Sequence, residues 1–583
     1  MTRGAWMIVL GVVICSASFC AAQPGRGRAA ETWGANANSV LDRLAGAGEN
    51  DGLISEARSA LLTSARAGTP LRAEGLIDAA LAWRLSEQLS ALPERDRRAA
   101  LSAARACPEA TAEFVFAVHA KDDAPAAWKL FVRLVTARAA DVERHGALAG
   151  AIALVHENGY SFRCNENEPK ASDPLAIFEY YANAGRTLIF RPADMPLELL
   201  TRVVDSTASP DDMRWATTRH PQGRDVGQRF HDVAYDYNHL ATGRNKKVTT
   251  EGFTLQNIQK HGGVCADQAY YACGVGKALG VPTAYVFARG NEAAHAWVGY
   301  FRLRGRDGEW DFKEGRYDAY LGVRGWTQDP QTREYLPDGA LAITASLHGT
   351  TPADRRRAAA WADASRALAS ENGDVTTRLT WLENAVKTCP GVRAIWDELE
   401  ACAGAEGLPA GQASRWIDTV RRTFGASEPD FLFDASAGLL RAVSDPRERA
   451  NEWQRLTRDF ARRPDLLSAA LMGVGQALED QGQKDRALNV YQDVITKYTK
   501  DGLAVSQALR RADELLSEKG REGEALRMYD LAWRRLPKPD VSAYFWPGSA
   551  WFSVGGMYAA RLHKAGELQQ AERVLAEIGL GRR

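Results

Sequence analysis

Three residue types that together can carry out acyl transfer stand in order along one stretch of the chain. They are Cys265 in Gly262-Gly-Val-Cys-Ala-Asp-Gln-Ala269, His295 in His295-Ala-Trp297, and Asp311 in Trp310-Asp311. A thiol attacks an acyl carbon when a neighbouring imidazole takes its proton, and a carboxylate can hold that imidazole in the accepting tautomer. Gly262 and Gly263 do not extend a helix cheaply, so a new helix is expected to begin beside Cys265. There its free N–H groups and the positive end of its dipole would favour a thiolate. Cys265, Ala269, Ala272 and Gly276 then share one narrow face of small groups, suited to lying close against a sheet. The Cys265 N–H and one further donor would meet an oxyanion, with Gln256, Gln259 and Tyr237 as candidates for that donor.

The elements that must position these residues can be read around them. A helix is expected over Ala266 to Leu279, with strands over Thr283 to Ala288 and Ala296 to Leu303. Alternation places His295, Trp297 and Gly299 on one side of the second strand and Ala296, Val298 and Tyr300 on the other, and His295 is expected to face the helix start. The turn Arg304-Gly-Arg-Asp-Gly308 suggests a hairpin whose second arm sets Asp311 beside the imidazole. Taken singly, each residue has a plainer reading: a buried cysteine, a hydrogen-bonded core histidine, a surface aspartate. Cys273, inside the helix and away from its free N–H groups, reads as core.

Order and spacing strengthen the set. The intervals are 30 residues from Cys265 to His295 and 16 from His295 to Asp311, with Leu279-Gly-Val-Pro282 between. This resembles the transglutaminase-like superfamily of papain-like Cys-His-Asp folds, in which a cysteine opens the central helix and His and Asp follow on successive strands. The clear part of the resemblance is Thr254 to Asp311, under a third of the chain even when extended to the whole candidate domain. It implies an α+β domain and acyl transfer through a Cys thioester. Water as acceptor would give a peptidase or amidase and an amine would give cross-linking, and the resemblance favours hydrolysis.

Other signals carry less. His231 and His239 flank two aspartates but share no face at close range. With no Cys-x-x-Cys and no His-Glu-x-x-His run, no metal site is expected. Gly274-Val-Gly276-Lys277 is too short for a phosphate loop, and Arg244-Asn-Lys-Lys247 reads as a solvated turn.

The whole chain sets the frame. It has 583 residues and 63.7 kDa, with 73 basic and 73 acidic side chains, 45% hydrophobic residues and mean hydropathy −0.33. That balance excludes a basic nucleic-acid carrier, a disordered chain and a multispanning one. Residues 1–22, with Arg3, an apolar stretch from Met7 and Cys20-Ala-Ala22, read as a signal peptide, followed by a flexible lead over 23–33. Eight cysteines are too few for a disulfide scaffold, and a working Cys265 must remain unpaired. Residues 34–165 read as a helical region, 166–348 as the transglutaminase-like domain and 349–583 as a helical repeat region. In the last, Gly482, Ala487 and Tyr491 match Gly520, Ala525 and Tyr529 at a period of 38. Gly566 and Ala571 repeat the first step, and Leu379 to Pro390 reads as an earlier degenerate copy. These spacings resemble tetratricopeptide repeats.

The expectation is therefore a multidomain exported protein, periplasmic or secreted. Its transglutaminase-like domain lies between an N-terminal helical region and a C-terminal α-solenoid. No cofactor, metal, nucleic acid or stable membrane span after signal cleavage is expected. The expected partners are a protein or peptide substrate and a further protein on the repeats. The alternative is a non-catalytic scaffold that works through its repeats.

Overall fold

The computed structural model describes residues 33–46, 51–68, 75–157, 172–221, 225–289, 294–320, 323–409, 411–425, 428–539 and 549–580. The expected signal peptide, nearly all of the flexible lead, and Cys164 lie outside the described residues. The protein is multidomain and mostly helical, with helices on both sides in sequence of one small antiparallel sheet. Among the described residues, no helix is long and apolar enough to cross a membrane.

Among the described residues the sheet has five strands in the order β3-β2-β1-β4-β5. They are β1 (Thr283–Arg289), β2 (Ala294–Arg304), β3 (Asp307–Asp311), β4 (Trp326–Gln328) and β5 (Tyr335–Pro337). The central helix, Cys265–Ala278, lies across it. Its small residues allow this closeness. A Cβ at Gly276 would come within 2.5 Å of Thr283 Cγ2 and 2.7 Å of Val226, and one at Gly274 within 2.6 Å of Leu255. The Thr283 hydroxyl donates to the Cys273 carbonyl at 3.0 Å, which identifies the helix-facing side of the sheet. Thr283 stands opposite Tyr300 in the β1–β2 ladder, so Tyr300, Val298 and Ala296 face the helix.

Both ends of the central helix are chemically closed. At the C-terminal end, the Tyr180 and Tyr181 hydroxyls donate to the carbonyls of Ala278 and Lys277 at 2.7 and 3.0 Å, satisfying groups that a helix leaves without partners. At the N-terminal end, Asp267 accepts from the Val264 N–H at 2.8 Å and from Lys246 Nζ through both carboxylate oxygens at 2.9 Å. Lys246 is 1% exposed and Asp267 0%. The solvated-turn reading of Arg244 to Lys247 is thus corrected for Lys246, since a cation enclosed this completely requires an enclosed anion. Lys247 is exposed.

The flanking regions meet this domain through shared core. One continuous buried cluster runs from Ala37 to Ala470, and a second covers Val474 to Ile578. The N-terminal helix Gly146–Val155 packs so tightly on Leu197–Val204 that a Cβ at Gly150 would stand 2.7 Å from Leu197. Arg84 and Asp363 form a buried two-pronged pair, one arm at 2.9 Å, that joins the N-terminal helices to Pro352–Ala369. In the C-terminal helices, Gly482, Gly520 and Gly566 each take a left-handed turn between consecutive helices (φ +74°, +66° and +83°). Ala487, Tyr491, Ala525, Tyr529 and Ala571 are buried in the hairpins that follow.

Removing one partner of the enclosed ion pair leaves the other charge stranded, so Lys246→Met should lower stability by about 3–5 kcal/mol. Lys247→Met should change it by less than about 0.5 kcal/mol. Urea unfolding followed by circular dichroism measures both.

Candidate functional site

Cys265 is the first residue of the central helix, and the route to it is built from glycine. Gly262 has φ +78°, and a Cβ there would meet the Ala234 carbonyl at 2.5 Å. Gly263 donates to that same carbonyl at 2.9 Å and accepts from the Asp236 N–H at 2.8 Å, so a short parallel bridge to Tyr235 fixes the approach. The Cys265 thiol is half-buried. Burial pushes its pKa up, while the N–H groups of Ala296, Ala266 and Cys265 itself pull it down. These groups belong to the helix start and to β2, and all favour the thiolate. Cys273 is buried, and desolvation raises its thiol to about 12.

His295 lies on the reverse side of the sheet from the helix, opposite Ala288 and in line with Trp297 and Gly299. The expectation that its side shares the helix is corrected: side chains of Ala296, Val298 and Tyr300 occupy that face, and Cys265 reaches the main chain of Ala296. Residues 312–320 cover the histidine's side. Phe312 fills the space beside Gly299, Arg316 lies 4.9 Å over Trp297, and Tyr317 and Tyr320 flank the His295 ring at 4.5 and 4.7 Å. Tyr317 also borders the thiol, since Cys265 is among the groups that raise the Tyr317 pKa after burial. Cys265 and His295 thus share Tyr317 as a neighbour.

His295 Nε2 stands 2.6 Å from the Gly315 carbonyl. A carbonyl only accepts, so Nε2 carries the proton and Nδ1 of the neutral ring holds the free lone pair. Burial lowers the pKa of this imidazole, and the Gly315 carbonyl opposes that shift. A raised thiol and a lowered imidazole are both neutral near pH 7, so the resting pair is thiol and imidazole rather than thiolate and imidazolium.

Asp311 is not brought to His295. It stands opposite Tyr300, five residues along β2, or about 16 Å at strand rise. Its partners are Arg302 at 3.0 Å and the Lys313 N–H at 2.9 Å. The turn is the reason. Arg304 pairs with Asp307 across a two-residue loop at Gly305 (φ +68°), and that register carries Asp311 to Tyr300. The chain leaves the ladder soon after Asp311, and the Gly315 carbonyl meets the imidazole in place of a carboxylate.

The remaining sequence candidates separate in the same way. Tyr237 is 73% exposed and packs on Tyr235 at 4.9 Å, and Tyr235 borders the thiol. Gln256 is exposed, and Gln259 accepts from Arg219 at 3.4 Å. His231 faces Glu314 at 3.5 Å, and His239 faces the Arg244 carbonyl. No group of three metal-binding side chains occurs among the described residues. Sequence reasoning missed Lys246, Tyr317, Tyr320 and the Ala296 N–H. Only Asp267, an acid in the first helical turn, carried a readable sign of the N-terminal cap. The chain matches no protein-family model and no curated protein.

Two outcomes are expected. Because burial holds the thiol above its ordinary value, alkylation of Cys265 by iodoacetamide should rise about tenfold per pH unit from about pH 6.5 to 9 with no plateau below 8. Asp311→Asn should change that rate by less than about twofold, because the carboxylate is remote from the sulfur. Peptide mass spectrometry of timed labelling reads both.

Proposed function

We propose that this protein is a thiol acyl-transfer enzyme with a transglutaminase-like domain, hydrolysing amide bonds of protein or peptide substrates outside the cytoplasmic membrane. The observation that carries this reading is that main-chain N–H groups of Ala296, the residue after His295, and of Ala266 and Cys265 at the helix start act on the Cys265 thiol to lower its pKa against burial. Such donors stabilise negative charge as it develops, on the sulfur and on the oxyanion beside it. The order of Cys265, His295 and the intervening turn supports the same class.

In this reading Tyr317 borders both groups at the start of β2, and the Cys265 sulfur bonds to the substrate carbonyl carbon as its proton passes through one water to His295 Nδ1. Collapse of the oxyanion breaks the C–N bond, and the imidazolium returns that proton to the departing amine. Water then cleaves the thioester, again with His295 as base. Tautomer control, the work usually given to a carboxylate, falls to the Gly315 carbonyl. Tyr237 and Tyr317, 73% and 48% exposed, offer aromatic surface near the thiol. The C-terminal hairpins, tetratricopeptide-like in their spacing, would hold the protein substrate or a partner.

One observation favours the rival reading of a non-catalytic scaffold: a neutral thiol and an imidazole held by a carbonyl make a weaker pair than a full triad. Incubation with p-nitrophenyl acetate separates the two readings. The enzyme reading expects an acyl adduct confined to Cys265, absent in Cys265→Ala, and formed at least about 100-fold more slowly in His295→Ala. Equal acylation of wild type and His295→Ala would sink it and leave the scaffold.

A further inference from the structure

The helix Leu197–Val204 carries two charged side chains on one face, Glu198 and Arg202, four residues apart. Such a pair ordinarily closes on itself as an ion pair, but here each turns elsewhere. Glu198 lies where two cavities of about 270 and 570 Å³ meet, and Arg202 lines the larger. The cavities run between the N-terminal helices, the β4–β5 hairpin and the first C-terminal helices. Glu198 Oε2 and Arg202 Nη2 are both closed off from solvent and without a hydrogen-bond partner among the described residues. Asp329, the nearest anion to that arginine, is 3.7 Å away.

The other carboxylates facing the larger cavity each stand in an ion pair. Asp329, Glu334 and Asp397 share Arg393 at 3.2–3.3 Å, Glu400 pairs with Arg441 at 2.9 Å, and Asp434 with Arg324 at 2.7 Å. Asp397 Oδ2, 3.3 Å from Arg393, also lacks a hydrogen bond, but Glu198 Oε2 and Arg202 Nη2 are the acceptor and donor that stand side by side on one helix. An unmet buried polar atom costs about 1–3 kcal/mol, and two of them on the wall of one cavity point to a ligand that meets both. The rest of the wall includes Leu336, Trp396 and Phe431. Burial raises the Glu198 pKa, and the Arg355 guanidinium opposes that rise.

We propose that this cavity binds an α-amino acid zwitterion with an apolar side chain, its ammonium on Glu198, its carboxylate on Arg202 and its side chain against Trp396 and Phe431. The volume suits a molecule of that size. The proposal does not depend on the chemistry of Cys265.

Calorimetric titration of the full chain with L-phenylalanine tests it, with phenethylamine and 3-phenylpropionate as probes that each lack one charge. Saturable binding of phenylalanine is expected, with each single-charge probe at least about tenfold weaker. Glu198→Gln should weaken phenylalanine about tenfold or more while leaving 3-phenylpropionate unchanged. Ala435→Phe, which fills the cavity from its helical wall, should abolish binding and serves if the glutamine variant does not fold. Absence of heat with phenylalanine, equal affinity for all three probes, or undiminished binding in the folded variants would overturn the proposal.

Discussion

The site depends first on an enclosed charge pair. Lys246 and Asp267 are both shut away from water, and Asp267 also accepts the N–H that precedes Cys265. One carboxylate therefore caps the central helix, neutralises a buried ammonium and fixes the main chain that presents the thiol. The arrangement stands only as a unit, because either charge alone in that position would be heavily penalised. Gly263 follows from it, since a side chain there would strike Asp267 at 2.4 Å, whereas Gly262 is required by its φ of +78° and the nearby Ala234 carbonyl. The small face of the helix then lets it lie on β1 and β2, and this contact brings the Ala296 N–H to the sulfur.

The imidazole is held by different means. His295 sits on the far side of the sheet under a cover of tyrosines, and its tautomer is set by a main-chain carbonyl. A carboxylate would both orient an imidazole and stabilise its cation, whereas a carbonyl orients it with only a partial negative charge. Two neutral groups in a partly dry site are the physical consequence. Charge appears only when a substrate supplies the carbonyl that will carry it, which is where main-chain N–H donors are worth most.

The helical flanks are part of the same body. The buried core passes without a break from the N-terminal helices through the central domain into the first C-terminal helices. Arg84–Asp363 and the Arg393 cluster knit the three together. The cavity that holds Glu198 and Arg202 exists only because these regions meet, which is why two residues of one short helix end with unmet atoms inside a well-paired ionic network.

Local chemistry was legible in the residues themselves. The Gly-Gly-Val-Cys start puts a helix at Ala266 to Leu279, one residue from the observed Cys265–Ala278, and the alternating runs place β1 and β2 within two residues of their observed ends. Glycine conformation, apolar periodicity and turn composition are properties of neighbouring residues, so a sequence displays them directly. Three outcomes belonged to the tertiary structure. The sheet presents His295 away from the helix, the two-residue turn at Gly305 carries Asp311 to Tyr300, and Lys246 is drawn into the core to meet Asp267. Each is set by ladder register or by contact between residues distant along the chain. A shift of one residue in a strand reverses every side chain, and no local pattern reports which register or which distant partner prevails.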